Sequence, residues 1–231
     1  METVALWGEM LDAAAEAQEK DDPEERVALE YKSLTIWNTA FAKSLDPDDE
    51  RNPVKFFPNW LYLQQADQLW LRHRFTLWAK SRRLFFSWRF IGNYLWDSIA
   101  HRTRYTFFQS RELSDAGMDA DHCLLWRANF IWERLPKCIR PKHKVKKKLQ
   151  LIEYWPPNWS EKSTIRAVSA DFDAFRSFPV TGALLDEVAT QQHPELAFVA
   201  VRPAVEKRGR ITGVSTPNGE NFFHRAIYGL D

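Results

Sequence analysis

Residues 182–189, Gly-Ala-Leu-Leu-Asp-Glu-Val-Ala, form an apolar run that reads as a strand and ends in two carboxylates, Asp186 and Glu187. Working outward, four more short apolar runs carry strand character: Arg74–Ala79 (RFTLWA), Arg104–Gln109 (RYTFFQ), Thr164–Ser169 (TIRAVS) and Arg210–Ser215 (RITGVS). Helices are predicted between and around them, over Ser87–Ala100, about Ala120–Arg134, Pro194–Val205 and Glu220–Tyr228. Strand alternating with helix at this spacing predicts an α/β fold, a mostly parallel sheet covered by helices on both faces. Ligands of such sheets sit at the carboxyl ends of the strands. Asp186 and Glu187 are either a solvated acidic pair that begins the next helix or, at that edge, one carboxylate able to hold a Mg²⁺ ion through water and another to orient or deprotonate an attacking water.

Residues 1 to about 45 read as a small helical segment of two helices. Asp22-Pro23-Glu24-Glu25 supplies an N-cap, a proline at the first helical position and acids in the first turn. Val27, Tyr31, Leu34, Trp37 and Phe41 then recur at helical spacing and make one apolar face that needs a partner surface. Asp46–Pro53 has no apolar residue and two prolines, and reads as a linker or an exposed loop. The expected division is a helical appendage and linker over 1–53 and a main domain over 54–231.

The 231 residues suffice for one good core. A formal net charge of +1 offers no argument for nucleic acid from overall charge, so only local clusters can make one. Cys123 and Cys138 have no zinc-ligand spacing, and a reducing compartment without structural metal is expected. The start METVALWGEM lacks the basic and apolar regions of a signal peptide, and no apolar run reaches the roughly 20 residues needed to span a bilayer. An intracellular protein with no membrane partner is expected.

Four other segments bear on chemistry. Ala79–Trp88 (AKSRRLFFSW) lies between a predicted strand and a predicted helix; it is either a basic turn leading into a core helix or a turn whose helix N-terminal amides and Lys80, Arg82 and Arg83 charges suit an anion. The G-x-x-x-x-G-K-[ST] pattern is absent, because Phe85 and Phe86 stand where Gly and Lys would precede the hydroxyl of Ser87. Ser215-Thr216-Pro217-Asn218-Gly219 follows a strand and reads as a turn. The run Lys137–Lys148 (KCIRPKHKVKKK), including Lys142, Lys144, Lys146, Lys147 and Lys148, is either a solvated loop or a contact for DNA phosphates. Trp155 and Trp159 are either base-stacking platforms or the packing of a proline-rich turn.

In order and context, Lys80–Trp88, Asp186-Glu187 and Ser215–Phe222 resemble the motifs of phage terminase large subunits, in particular the branch resembling Mu-like phages. The resemblance covers about residues 58–231 and implies a RecA- or P-loop-like ATPase domain, with ATP and Mg²⁺ as cofactors. It further implies that Asp186 and Ser87 lie on the Mg²⁺ side and that Glu187 is the catalytic glutamate. Lys80, Ser81 and Arg83 would hold phosphate, and Arg82 would stabilise the transferring phosphoryl group. Ser215 and Thr216 match the segment that couples hydrolysis to movement. An adenine-contacting glutamine is implied at Gln65, with Gln64 and Gln68 as alternatives, and Arg176 matches an arginine shortly before the acidic strand. Phe85 departs from the family's glycine. The implied partners are double-stranded DNA, a portal protein, a small terminase subunit and further copies of the chain on the portal, in the cytoplasm of a bacterium carrying a phage or prophage. No nuclease activity is expected, since the chain ends at Asp231 where the family continues into a nuclease domain. The remaining alternatives are a degenerate or truncated prophage relative without turnover and a nucleic-acid-binding module that never binds nucleotide.

Overall fold

Asp22 caps the second helix as its side chain predicts, accepting hydrogen bonds from the amides of Glu24 and Glu25 at 2.8 and 2.9 Å. The computed structural model describes residues 2–140, 144–155, 161–169, 180–205 and 209–229. It begins with α1 (Glu2–Glu19) and α2 (Pro23–Ile36), followed by a π-helical turn, Trp37–Phe41. Strands β1 (Lys43–Leu45) and β2 (Val54–Phe56) then pair antiparallel, so that residues 46–53 are the connection of a hairpin. Within it Lys55 bridges Asp46 and Asp49 at 2.7 and 3.1 Å.

The apolar face of α2 finds its partner in the main body. Trp7, Met10, Leu34, Trp37 and Phe41 are buried in one cluster with Phe90, Leu95 and Trp96 of α4 (Phe86–Ala100). Trp37 Nε1 donates to the carbonyl of Gly92 at 3.0 Å, and Trp96 Nε1 donates to Ser33 Oγ at 3.0 Å. Between the hairpin and the sheet runs α3 (Leu61–Arg72). It is tied to α4 by a buried pair, Asp67 and Arg89, with Nη2 to Oδ2 at 2.5 Å and further bonds to the carboxylate from Asn93 and Asn38.

The five predicted strands are β3 (Phe75–Ala79), β4 (Tyr105–Gln109), β7 (Ser163–Val168), β8 (Gly182–Asp186) and β9 (Arg210–Ser215). They pair in parallel in the order β3-β9-β8-β4-β7. Beyond β7 the sheet gains two antiparallel strands, β6 (Leu151–Trp155) and β5 (Lys144–Lys148). By its charge Lys144–Lys148 reads as a loop or DNA contact, yet it is the edge strand. Lysines are compatible with an edge because one side of the strand faces water, and they discourage pairing with other chains.

Side chains alternate across the sheet. Phe108, Ile165, Leu184 and Val214 join the cluster under α4, α6 (Leu124–Glu133) and the N-terminal helices. Phe107, Ala183, Leu185 and Ile211 face the other way, against Val201 and Val205 of α7 (Pro194–Val205) and Phe223 of α8 (Phe222–Tyr228). A short α5 (Leu113–Ala116) precedes α6, so the helix predicted from about Ala120 starts later, at Leu124 after the cap residue Cys123. Both faces are covered, which leaves the strand ends as the open part of the sheet.

Candidate active site

The turn between β3 and α4 has a left-handed backbone at two non-glycine residues, Arg83 and Phe85, each with φ 66°. Glycine relieves such strain elsewhere. Here the Phe85 ring is held edge-on by Phe57 and Trp60, with centroids 5.0 and 6.4 Å away. Tyr62 Oη donates to the carbonyl of Leu84 at 3.1 Å, which pins the same turn to α3. Phe85 thus takes the conformation a glycine would provide, and its carbonyl accepts the bond from Arg89 N at 2.9 Å that opens α4.

Across the sheet, β8 ends at Asp186 and the chain turns left-handed at Glu187, φ 51° and ψ 45°. Lys80 Nζ lies 2.9 Å from Glu187 Oε1, and its side chain is 9% exposed. Ser87 Oγ donates to Asp186 Oδ1 at 3.0 Å. Glu187 Oε2 is approached from β9 by Ser215 Oγ and Thr216 N, each at 3.4 Å. Lys80 N donates to the carbonyl of Ser215 at 3.0 Å, so that β3 and β9 stay in register up to these side chains. Burial raises the pKa of Asp186, and the neighbouring charge of Glu187 adds to this, while Lys80, Arg127 and the Ser87 hydroxyl act against it.

Lys80, Arg82, Ser87, Arg127, Asp186 and Glu187 line a cavity of about 260 Å³. On the other side of Glu187 a second cavity, about 390 Å³, is bounded by Arg82, Arg111, Asp115, Thr216 and Asn218 among others. A larger one, about 640 Å³, lies away from these groups between β3, α7 and α8, with Phe75, Phe198 and Val199 in its wall. Size is a poor guide here, because the paired carboxylates and cations surround the smaller spaces. Arg127, on α6, has no motif around it in LLWRANFIWE, and sequence reasoning did not reach it. The available signal was a lone arginine in a mostly apolar helix.

Other expected residues are less central. Ser81 is exposed, and Arg83, although at the cavity rim, pairs with Asp48 at 3.1 Å. Gln64 donates to the carbonyl and Oδ1 of Asn59 at 3.2 and 3.0 Å, while Gln65 and Gln68 are exposed on α3. These three glutamines line neither cavity beside Glu187. Lys146 and Lys148 are exposed on β5, and Lys147 pairs with Glu133. Lys142, Trp159, Arg176 and the side chain of Lys144 lie outside the described residues. Among the described residues no helix is long and apolar enough to cross a membrane.

The donor types at the cavity wall, a carboxylate and a hydroxyl, are of the kind Mg²⁺ takes. Among the described residues no group of three or more His, Cys, Asp or Glu gathers. One carboxylate and one hydroxyl, Asp186 and Ser87, lie 3.0 Å apart at the cavity wall. Mg²⁺ commonly takes one or two carboxylates and fills the rest of its shell with phosphate oxygens and water.

An open, doubly covered sheet with its paired polar groups at the carboxyl ends of β3, β8 and β9 places the chain among α/β proteins whose sites form at that edge. Its particular fold is that of a phage large terminase ATPase domain. The large terminase ATPase domain of Thermus phage P74-26 matches 74% of this chain and 69% of its own, with a TM-score of 0.57 and 22% identity. An arginine-to-alanine variant of that domain matches 73% and 69%, with a TM-score of 0.58 and 19% identity. The N-terminal domain of the DNA packaging ATPase of bacteriophage phi29 matches 71% of this chain and 84% of its own, with a TM-score of 0.49 and 12% identity. By sequence, no protein-family model and no curated protein matches the chain.

Proposed function

We propose that this chain is a packaging-motor ATPase domain that hydrolyses ATP with Mg²⁺ and so drives double-stranded DNA into a procapsid, working with a portal protein and a small terminase subunit. One observation carries the reading: Lys80–Glu187 at 2.9 Å and Ser87–Asp186 at 3.0 Å meet at one cavity, although their sequence separations are 107 and 99 residues. The terminase ATPase fold supports it.

In this reading Ser87 and Asp186 would hold Mg²⁺, which when bound neutralises charge on the phosphate oxygens. Lys80, which lines the same cavity, would hold the same oxygens. Arg82, exposed between the two cavities, stabilises charge that develops on the transferring phosphoryl group. Glu187 orients the attacking water and accepts its proton. Its second oxygen is held by Ser215 and Thr216, so a change at Glu187 pulls on the end of β9 and on the STPNG turn. That linkage gives hydrolysis a route to movement.

The test is phosphate release from ATP with Mg²⁺, with and without DNA, by the wild type and Glu187→Gln. Loss of a positioned general base lowers turnover by about 10²- to 10⁴-fold, while ATP binding is retained. Equal rates in the two proteins would sink the reading. A second reading, a nucleic-acid-binding module without turnover, draws on the exposed Lys146 and Lys148 of β5. It predicts salt-sensitive DNA binding that ignores both ATP and the Glu187 substitution. ATP binding without turnover would instead point to a degenerate relative.

A further inference from the structure

Phe86 stands where a phosphate-binding turn ordinarily carries its lysine, and its ring packs against Trp78 and Phe90, with centroids 5.6 and 5.9 Å away. The inner wall of the cavity therefore needs its positive charge from another place. Lys80 is engaged by Glu187 at 2.9 Å, Arg83 is drawn to Asp48 at 3.1 Å, and Arg82 is exposed. Arg127 approaches from a different element, the first turn of α6, where its amide bonds the carbonyl of Cys123 at 3.1 Å. Its guanidinium lies over the Trp88 ring, 5.2 Å from the centroid. Its Nε is buried and has no hydrogen-bond partner among the described residues. Asp186, the acid whose field acts most on it, already accepts a bond from Ser87.

A half-buried guanidinium that lies over an indole and lines a cavity also walled by Lys80 and Ser87 is suited to a planar or multi-oxygen anion. Arginine keeps its charge under such burial, and its fork binds two oxygens at once. We propose that Arg127 is a nucleotide-phosphate ligand, taking β- and γ-phosphate oxygens from the α6 side of the cavity and supplying the charge that Phe86 displaces from the turn. This rests on the ATP-binding reading above. Trp88 is then a positioning residue that holds the guanidinium plane.

The experiment compares binding of ATP and AMP with Mg²⁺ to the full chain, in wild type, Arg127→Gln and Arg127→Lys, with the thermal midpoint of each protein measured without nucleotide. The expected result is a tenfold or greater loss of ATP affinity in Arg127→Gln, little change for AMP, and a smaller loss in Arg127→Lys. Equal losses for ATP and AMP, or a shifted midpoint with ATP affinity unchanged, would make Arg127 a structural residue and overturn the proposal. Should Arg127→Gln melt below the assay temperature, Arg127→Lys decides on the same ratio of ATP to AMP. A wild type that binds AMP and ATP equally defeats this inference alone. One that binds neither defeats the ATPase reading as well.

Discussion

At Phe85 a side chain and its backbone pull in opposite directions. A left-handed non-glycine residue costs about 1–2 kcal/mol, yet the ring is packed against Phe57 and Trp60. Phe85→Ala keeps the strain and loses the packing, whereas Phe85→Gly loses both. The glycine variant is therefore expected to be more stable than the alanine variant by about 1 kcal/mol, measured by urea denaturation; an alanine variant as stable as the glycine one would refute the strain. Asp186 gives a second contrast. Burial and the charge of Glu187 raise its folded pKa, so its contribution to stability is full below the unfolded value near 3.9 and is lost as pH rises through the folded one. Asp186→Asn should then raise the melting temperature at neutral pH, and the gain should shrink as the pH is lowered toward 4. A gain that grows on acidification would contradict this sign.

Among the elements, α3 and α4 are joined through the Asp67–Arg89 pair, whose side chains are 1% and 2% exposed. Removing one member leaves the other charge buried and unpaired. Asp67→Ala is expected to cost about 3–5 kcal/mol, read as a shift of the denaturation midpoint, and a loss below 1 kcal/mol would show that water reaches Arg89. The edge strand β5 carries a different expectation, tied to the proposed DNA contact. If Lys146 and Lys148 each neutralise a phosphate, the double alanine variant should flatten the slope of log affinity against log salt by about 1.8. An unchanged slope would return these lysines to the role of guarding a sheet edge.

For the whole molecule the N-terminal helices matter beyond their size. Trp37 is fully buried between α2 and α4 and donates to Gly92. Trp37→Ala is expected to cost about 3–5 kcal/mol. Because one cluster spans both parts, helix loss by far-ultraviolet circular dichroism and loss of the sheet-side environment by near-ultraviolet signal should coincide on heating. Two separate transitions would show that residues 1–53 fold as an independent appendage.

Much of this architecture was legible along the chain. The five parallel strands, the Asp22 cap and the two carboxylates ending β8 follow from local pattern, because apolar runs, caps and turns act within a few residues. The order of the strands, the placement of β5 and β6 at the edge and the packing of α1 and α2 on α4 needed the tertiary structure, since they depend on contacts between segments far apart in sequence. The site divides in the same way. Lys80, Ser87, Asp186, Glu187, Ser215 and Thr216 could be named from motif and spacing, but no local signal paired Lys80 with Glu187 or Ser87 with Asp186. Arg127 is the clearest case: it reads as an ordinary helix residue until the packing of α6 against α4 carries its charge to the cavity.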